Sequence, residues 1–481
     1  MGMLAGGLGG CRRGDAGPPE DAGVGSDAAL LDGDAGVDDP DPLLSDAERR
    51  ALATLAPSPL PPAPPDRTNE VADDDAAAAF GRRLFFDPRF SGALTDHDND
   101  GMPGSLGVVG DTGKVACASC HVPPRGFSDS RSGEGAISLG AGWGRRRAPS
   151  LLDVGQTKLV MWDGRRDALW NQLFGPVESF VEMNSSRLFV AQRIYENHRP
   201  EYERIFGPLP DLSNTTRFPS LTASQTGCRP SKDTSSLVCD GTTHGVPGDG
   251  AEYDRMAVAD QIAVTRVVVN MGKAIEAYER RLTCGAGAFD AWMHGDATAM
   301  PRAAQRGAAL FVGKAGCVKC HDGPYFSDHA FHNVGLAPAR VQSLSFVDAD
   351  DHGARDGLRA ALADPLGTAG AFSDMPGGDG RLPTAIGDGF DGAFRTPTLR
   401  CVSKRTSFMH TGQLRRLDGA LGVVAFFNRG GDTPIGAPTA IGANELHSLG
   451  LSLRETADVV SFLQALDGPG PAIELLTPEA P

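Results

Sequence analysis

Tyrosine and tryptophan are scarce in this chain: 5 Tyr and 4 Trp stand among 481 residues, against 62 Gly and 35 Pro, a balance that predicts long loops and little sheet. No apolar run approaches the ~18 residues of a spanning helix, so the folded part is expected to be soluble. A basic face for nucleic acid is missing too. The net charge is −16, and residues 1–80 hold 16 acidic against 5 basic side chains, which accounts for −11 of it and leaves −5 for the rest. That composition excludes nucleic-acid partners. The length predicts two or three domains.

The first segment has neither aromatics nor periodicity. Leu8-Gly9-Gly10-Cys11 resembles a lipobox, which would make Cys11 a lipid anchor, although a charged segment ahead of it is absent. The alternative is an ordinary Cys in a disordered tail. From Arg12 to about Asp66 the chain is Ala, Asp, Gly and Pro, ending in a Pro-rich run, and such a stretch buries too little apolar surface to offset its ordering entropy. It reads as a tether, and residues 1–70 are expected to lie outside the fold.

Chemistry enters with Cys117-Ala-Ser-Cys120-His121 and Cys317-Val-Lys-Cys320-His321. Both fit C-x-x-C-H, the attachment pattern of c-type haem. Two thiols on one helical turn can form thioethers to the two vinyl groups of one porphyrin, and the adjacent His then reaches the iron. With 9 Cys and 11 His in the chain, one chance match is expected in roughly 0.4% of shuffled sequences. A zinc site is the alternative, but a four-Cys ribbon needs no His after each pair. Two covalently bound haems are predicted, with His121 and His321 as iron ligands, in a protein located in the periplasm or at the cell surface. Of the remaining cysteines, Cys228 and Cys239 are expected to close a short loop and Cys284 and Cys401 to staple distant parts of the second half; buried free thiols are the alternative.

Around these sites stand Phe80-Gly-Arg-Arg-Leu-Phe-Phe-Asp-Pro-Arg-Phe-Ser91, Arg147-Ala-Pro-Ser150, Trp162-Asp-Gly-Arg165 and Gln172-Leu-Phe-Gly-Pro-Val-Glu-Ser-Phe-Val-Glu182-Met183. The second half adds Asn270-Met-Gly-Lys-Ala-Ile-Glu-Ala-Tyr-Glu279, Phe331-His-Asn-Val-Gly335, Arg395-Thr-Pro-Thr-Leu-Arg400, Met409-His-Thr-Gly412 and Phe427-Asn-Arg-Gly-Gly431. Over about residues 75–467 this order resembles the bacterial di-haem cytochrome c peroxidases and the MauG-type enzymes. The resemblance implies two mainly helical cytochrome c-like domains, 71–250 with the peroxidatic haem and 251–470 with the electron-transfer haem, before a tail at 471–481. Helical spacing of Ile262, Val267, Met271, Ile275 and Tyr278 predicts a helix over 261–282, and another is predicted over 453–466. Gly-rich stretches at 240–250 and 374–380 are expected as surface loops.

By the same resemblance Glu182 is the acid-base residue, Gln172 orients bound peroxide and Trp162 lies between the haems. Where many relatives carry a Gly-His-Gly-Trp segment whose His caps the peroxidatic iron, this chain reads Gly140-Ala-Gly-Trp143. Ala cannot ligate iron, so an open N-terminal haem is expected. By the resemblance Phe427 stands where the family has a Met or Tyr sixth ligand of the second haem; either another residue such as Met409 reaches the iron, or the haem is five-coordinate or water-ligated. Core packing is the alternative for Met409, and His410 is expected beside the haem. An interface calcium is common in the family, but the matching segments here, Arg146-Arg-Ala148 and Lys404-Arg-Thr-Ser407, are cationic. Asp96-His-Asp-Asn-Asp-Gly101 opens like an EF-hand loop, yet its twelfth position is Gly107. The expected activity is reduction of hydrogen peroxide with electrons from a small periplasmic cytochrome c or cupredoxin, in a monomer or homodimer. Alternatives are a MauG-like oxidation of Trp or Tyr in a partner protein, and a non-catalytic di-haem electron carrier, for which Glu182 and Gln172 would have no use.

Overall fold

The computed structural model describes residues 44–129, 131, 137–224, 251–337, 339–341, 344–347, 351–432 and 444–479. Cys11, Cys228, Cys239 and the 240–250 stretch lie outside them. The chain is mainly helical, and its strands form two short antiparallel pairs, Phe331–His332 with Phe394–Arg395 and Ala339–Val341 with Leu344–Val347.

Part of the expected tether is structured. Helix α1, Asp46–Leu55, starts at Ser45, whose Oγ accepts from Glu48 N at 3.2 Å while Glu48 Oε2 accepts from Ser45 N at 2.7 Å. Leu44, Leu52 and Leu55 are buried among residues of the second half. Composition averaged over the acidic segment concealed a capping box followed by leucines at helical spacing.

Four further helices frame the sites. Helix α2, Asp75–Phe86, capped by Asp74, buries Phe80, Leu84 and Phe85 against α3, Val258–Glu279. Helix α4, Arg302–Val312, packs on α5, Leu453–Ala465. Each pair crosses at a glycine: a Cβ on Gly81 would strike Ala274 O of α3, and one on Gly307 would strike Asp458 O of α5. In both cases the glycine begins Gly-x-x-Leu-Phe, and the Phe meets an aromatic one turn beyond the crossing. Phe85 lies 5.2 Å from Tyr278, and Phe311 lies 5.1 Å from Phe462.

The apolar residues gather in two main clusters. Helix α3 begins and ends three residues before the predicted span, and its buried residues from Val264 to Tyr278 belong to the first cluster. A division at 250/251 therefore separates this helix from the residues it packs on. Ile262 is 52% exposed, because the first turns of α3 stand clear of the core. The 374–380 loop lies on the surface as expected, held by Lys273 Nζ on Asp374 Oδ1 at 2.6 Å. A disulfide joins Cys284 to Cys401, with Cα atoms 5.7 Å apart.

Candidate functional site

The two C-x-x-C-H motifs fold alike. Cys117–Cys120 is one helical turn and Cys317–Lys319 a 3-10 turn, and in each the His N–H donates to the first Cys carbonyl at 2.9 Å. His121 Nδ1 lies 3.1 Å from Phe127 O and 3.0 Å from Pro149 O, and His321 Nδ1 lies 2.8 Å from Phe326 O. Carbonyl oxygens only accept, so Nδ1 carries the proton and Nε2 is left with a lone pair for a metal. Burial lowers the proton affinity of both imidazoles and keeps them neutral. Both phenylalanines sit at φ 54°, the left-handed turn that aims their carbonyls back at the His.

The duplication continues. Arg147 to Gly164 reads over Arg395 to Gly412 without a gap, sharing Arg-x-Pro-Ser/Thr-Leu, a Val, a Met and the final Gly. Backbone conformation follows: Asp153 and Cys401 have φ 57° and 53°, Met161 and Met409 φ 68° and 70°. The copies also exchange hydrogen bonds. Arg147 N donates to His410 O and Arg395 N to Trp162 O, each at 2.8 Å. Trp162 Nε1 donates to Arg147 O at 2.7 Å, so the indole is pinned where the copies meet.

Trp162 also lines a cavity of about 540 Å³ shared with Cys317, Cys320, His321, Met409 and Phe427. Arg395 and Arg405 line it as well, and among the described residues neither forms an ion pair. Arg395 donates only to Met161 O, Thr157 Oγ1 and Thr396 O, and Arg405 only to Thr398 O and Arg400 O, leaving its Nε buried without an acceptor. Burial pulls both guanidinium groups down to about 10. Two thiols, a neutral imidazole and two cations without anions fit a haem, whose propionates supply the missing charge. They do not fit zinc, because among the described residues the two Cys pairs do not join in one four-ligand cluster. Cys320, Asp328 and His332 do approach one another, but Cys320 belongs to the attachment motif. His410 packs its ring on Phe394 at 3.6 Å and is held neutral by burial.

At the first motif, Glu182 is the group of interest. Its carboxyl makes no hydrogen bond among the described residues, and burial raises its pKa against a weaker opposing effect of Arg165. Its charge is felt by both Cys117 and Cys120, which places it beside the attachment turn. The Gly140-Ala141-Gly142 segment lies along it: Ala141 N donates to Glu182 O at 2.8 Å and Gly142 N to Val181 O at 2.9 Å, and a Cβ on Gly140 would collide with Glu182 O. The two segments are therefore paired through their backbones. Gln172 ends the Leu169–Gln172 turn, partly buried, with its amide free of hydrogen bonds among the described residues.

Among the described residues of the segments considered for calcium, Arg146 occupies the interface with Asp163 at 2.5 Å and Asp351 at 2.6 Å, and Arg147 and Arg405 are buried cations there. In the Asp96–Gly107 loop Asp96 and Asp100 cap the backbone N–H groups of Asp98 and Met102, Asp98 Oδ2 accepts from Trp143, and Asn99 bridges Leu106 N to Gly140 O. Its oxygens serve the turn. Sequence reasoning assigned no role to Arg395, Arg405 or Asp153, although the repeated Arg-x-Pro-Ser/Thr-Leu and the Phe-Ser-Asp after each motif were there to be read.

The profile of the di-haem cytochrome c peroxidase family matches residues 75–225. Cytochrome-c peroxidase IdrP1 of Denitromonas iodatirespirans is 30% identical over 429 residues, covering 86% of this chain and 87% of that protein. Methylamine utilization protein MauG of Methylorubrum extorquens is 27% identical over 82% of this chain and 80% of its own. Among solved structures, a MauG-like protein associated with microbial copper homeostasis superposes with a TM-score of 0.54 at 21% identity, over 87% of this chain and 98% of that one. With two attachment motifs in one duplicated frame, the chain belongs to the di-haem cytochrome c peroxidase and MauG family of oxidoreductases.

Proposed function

We propose that this protein reduces hydrogen peroxide to water with electrons from a small c-type cytochrome or cupredoxin, outside the cytoplasm. The observation that carries this is Glu182, a partly buried carboxyl without a hydrogen-bond donor among the described residues, whose backbone O accepts from Ala141 N at 2.8 Å, in the segment where many relatives carry a capping His. Two haems, one in each copy of the frame, form the working pair, within units near 71–250 and 251–470, of which the first packs on α3 and the second on α1. Haem iron, when bound, supplies the cleavage of the oxygen–oxygen bond and storage of the oxidising equivalents. His121 and His321 are the iron ligands, each oriented through Nδ1. Glu182 takes a proton from the inner oxygen of peroxide and returns it to the outer one, so that water leaves. Gln172 donates its amide to hold peroxide in place, and Trp162, pinned to Arg147 O, carries electrons between the copies.

A second reading, oxidation of Trp or Tyr in a partner protein, is favoured by Ala141 and by Phe427, which lines the second cavity and cannot bind iron. Met409 lines the same cavity and is the candidate sixth ligand. The fully oxidised protein as isolated should oxidise reduced cytochrome c on addition of peroxide, with no reductive step first. Absence of turnover in a haem-loaded sample moves the assignment to the second reading. Electron paramagnetic resonance should show a high-spin signal from the N-terminal haem; low-spin spectra from both haems would remove the role given to Ala141.

A further inference from the structure

Asp153 has no part in the chemistry above, yet it lines the second cavity together with Cys317, Cys320 and His321. It is 5% exposed. Its backbone is locked in the left-handed region, with N donating to Leu282 O at 2.7 Å, and its Oδ1 accepts from Cys284 N at 3.1 Å. Cys284 is itself bonded to Cys401, the residue that occupies Asp153's place in the second copy. The carboxyl is thus fixed from two sides. Among the described residues its other oxygen, Oδ2, is buried with no hydrogen-bond partner.

The charged and titratable groups facing it are few. Arg400 is committed to Asp290 at 2.8 and 2.9 Å, Arg405 donates to main-chain carbonyls, and the Tyr325 hydroxyl donates to Pro61 O. Neither arginine donates to Asp153. Burial therefore dominates and lifts the carboxyl to about 6, with Cys284 N–H and the two distant cations pulling the other way. An ionised carboxylate left in such a place responds strongly to any further negative charge, because the low dielectric screens it poorly.

We propose that Asp153 is a proton acceptor coupled to electron uptake: it binds one proton from solvent when the haem held by Cys317, Cys320 and His321 accepts one electron. This rests on the reading that the second cavity holds a haem. One electron arrives from the one-electron donor, one O–H bond forms on Asp153 Oδ2, and the net charge of the cavity is unchanged. When the electron moves on towards the first haem, the proton returns to solvent. The first copy thereby delivers to the second haem a titrating group that Cys401 cannot provide.

Spectroelectrochemical titration of the full holoprotein from pH 5 to 8 tests this, with Asp153→Asn beside the wild type. Asn keeps an oxygen for Cys284 N and removes the titration. In the wild type the midpoint of the second haem should be flat at low pH and then fall, approaching a tenfold change in the one-electron equilibrium constant, 59 mV, per pH unit. In the variant that fall should vanish. A wild-type midpoint independent of pH, or an equal slope in both proteins, overturns the proposal. Should the variant not fold, redox-difference infrared spectra of the wild type decide: a carboxylic acid C=O band in the reduced state only supports it, and its absence overturns it. A protein without covalent haem at the second motif overturns this proposal together with the reading beneath it, and is told apart by haem stain after denaturing electrophoresis of a Cys117→Ser, Cys120→Ser variant.

Discussion

Glu182→Gln should lower peroxide turnover by about 10²–10⁴ while leaving both haem spectra in place. The substitution keeps size and removes only the ability to move a proton, and Ala141 beside it has no functional group that could take its place. Because no hydrogen bond of Glu182's side chain is lost, folding should be unaffected. Steady-state peroxidase assays with matched haem content read the effect. Turnover within a factor of two of wild type would remove Glu182 from the mechanism and, with it, the main argument against a simple electron carrier.

Asp290→Ala should destabilise the fold by about 3–5 kcal/mol, read as a shift in the urea midpoint of the holoprotein. Arg400 is wholly buried, and Asp290 holds it with two bonds. Without that carboxylate the guanidinium stays buried with main-chain carbonyls alone, Pro324 O and Leu55 O. These are informative positions. Pro324 precedes the turn that aims Phe326 O at His321, and Leu55 ends α1, so the same cation ties the loop after the second C-x-x-C-H motif to the N-terminal segment. A loss of pH-independent stability under 1 kcal/mol would show that the cavity or solvent compensates the charge.

Much of this was legible in the residues. The two C-x-x-C-H motifs named their chemistry without a fold, since thioether attachment needs only local spacing. The α3 and α5 helices were legible because their apolar periodicity is strong, and Cys284 with Cys401 was legible once the motif thiols were set aside. Other features were hidden. Helix α1 was lost in an acidic, Pro-rich average, and α3 was assigned to the second half because chain order says nothing about which helix it crosses; Gly81 against Ala274 O decides that. The Gly-x-x-Leu-Phe, Phe-Ser-Asp and Arg-x-Pro-Ser/Thr-Leu repeats were visible in principle, but their meaning depends on left-handed turns that only coordinates reveal.

By itself the sequence determined the family likeness and, with it, haem as the cofactor class, and it singled out the two C-x-x-C-H motifs and Ala141 as the places to test. Covalent and coordinate bonds depend on residue type and short spacing, which a string of letters preserves. Tertiary structure alone decided that Trp162 O and His410 O each accept from an Arg backbone N–H of the other copy, that Arg146 sits between Asp163 and Asp351, and that Asp153 lines the second cavity with one oxygen that has no hydrogen-bond partner among the described residues. Those properties come from burial and from charges brought together over long separations, where desolvation sets what a side chain can do, and desolvation has no signature in residue order.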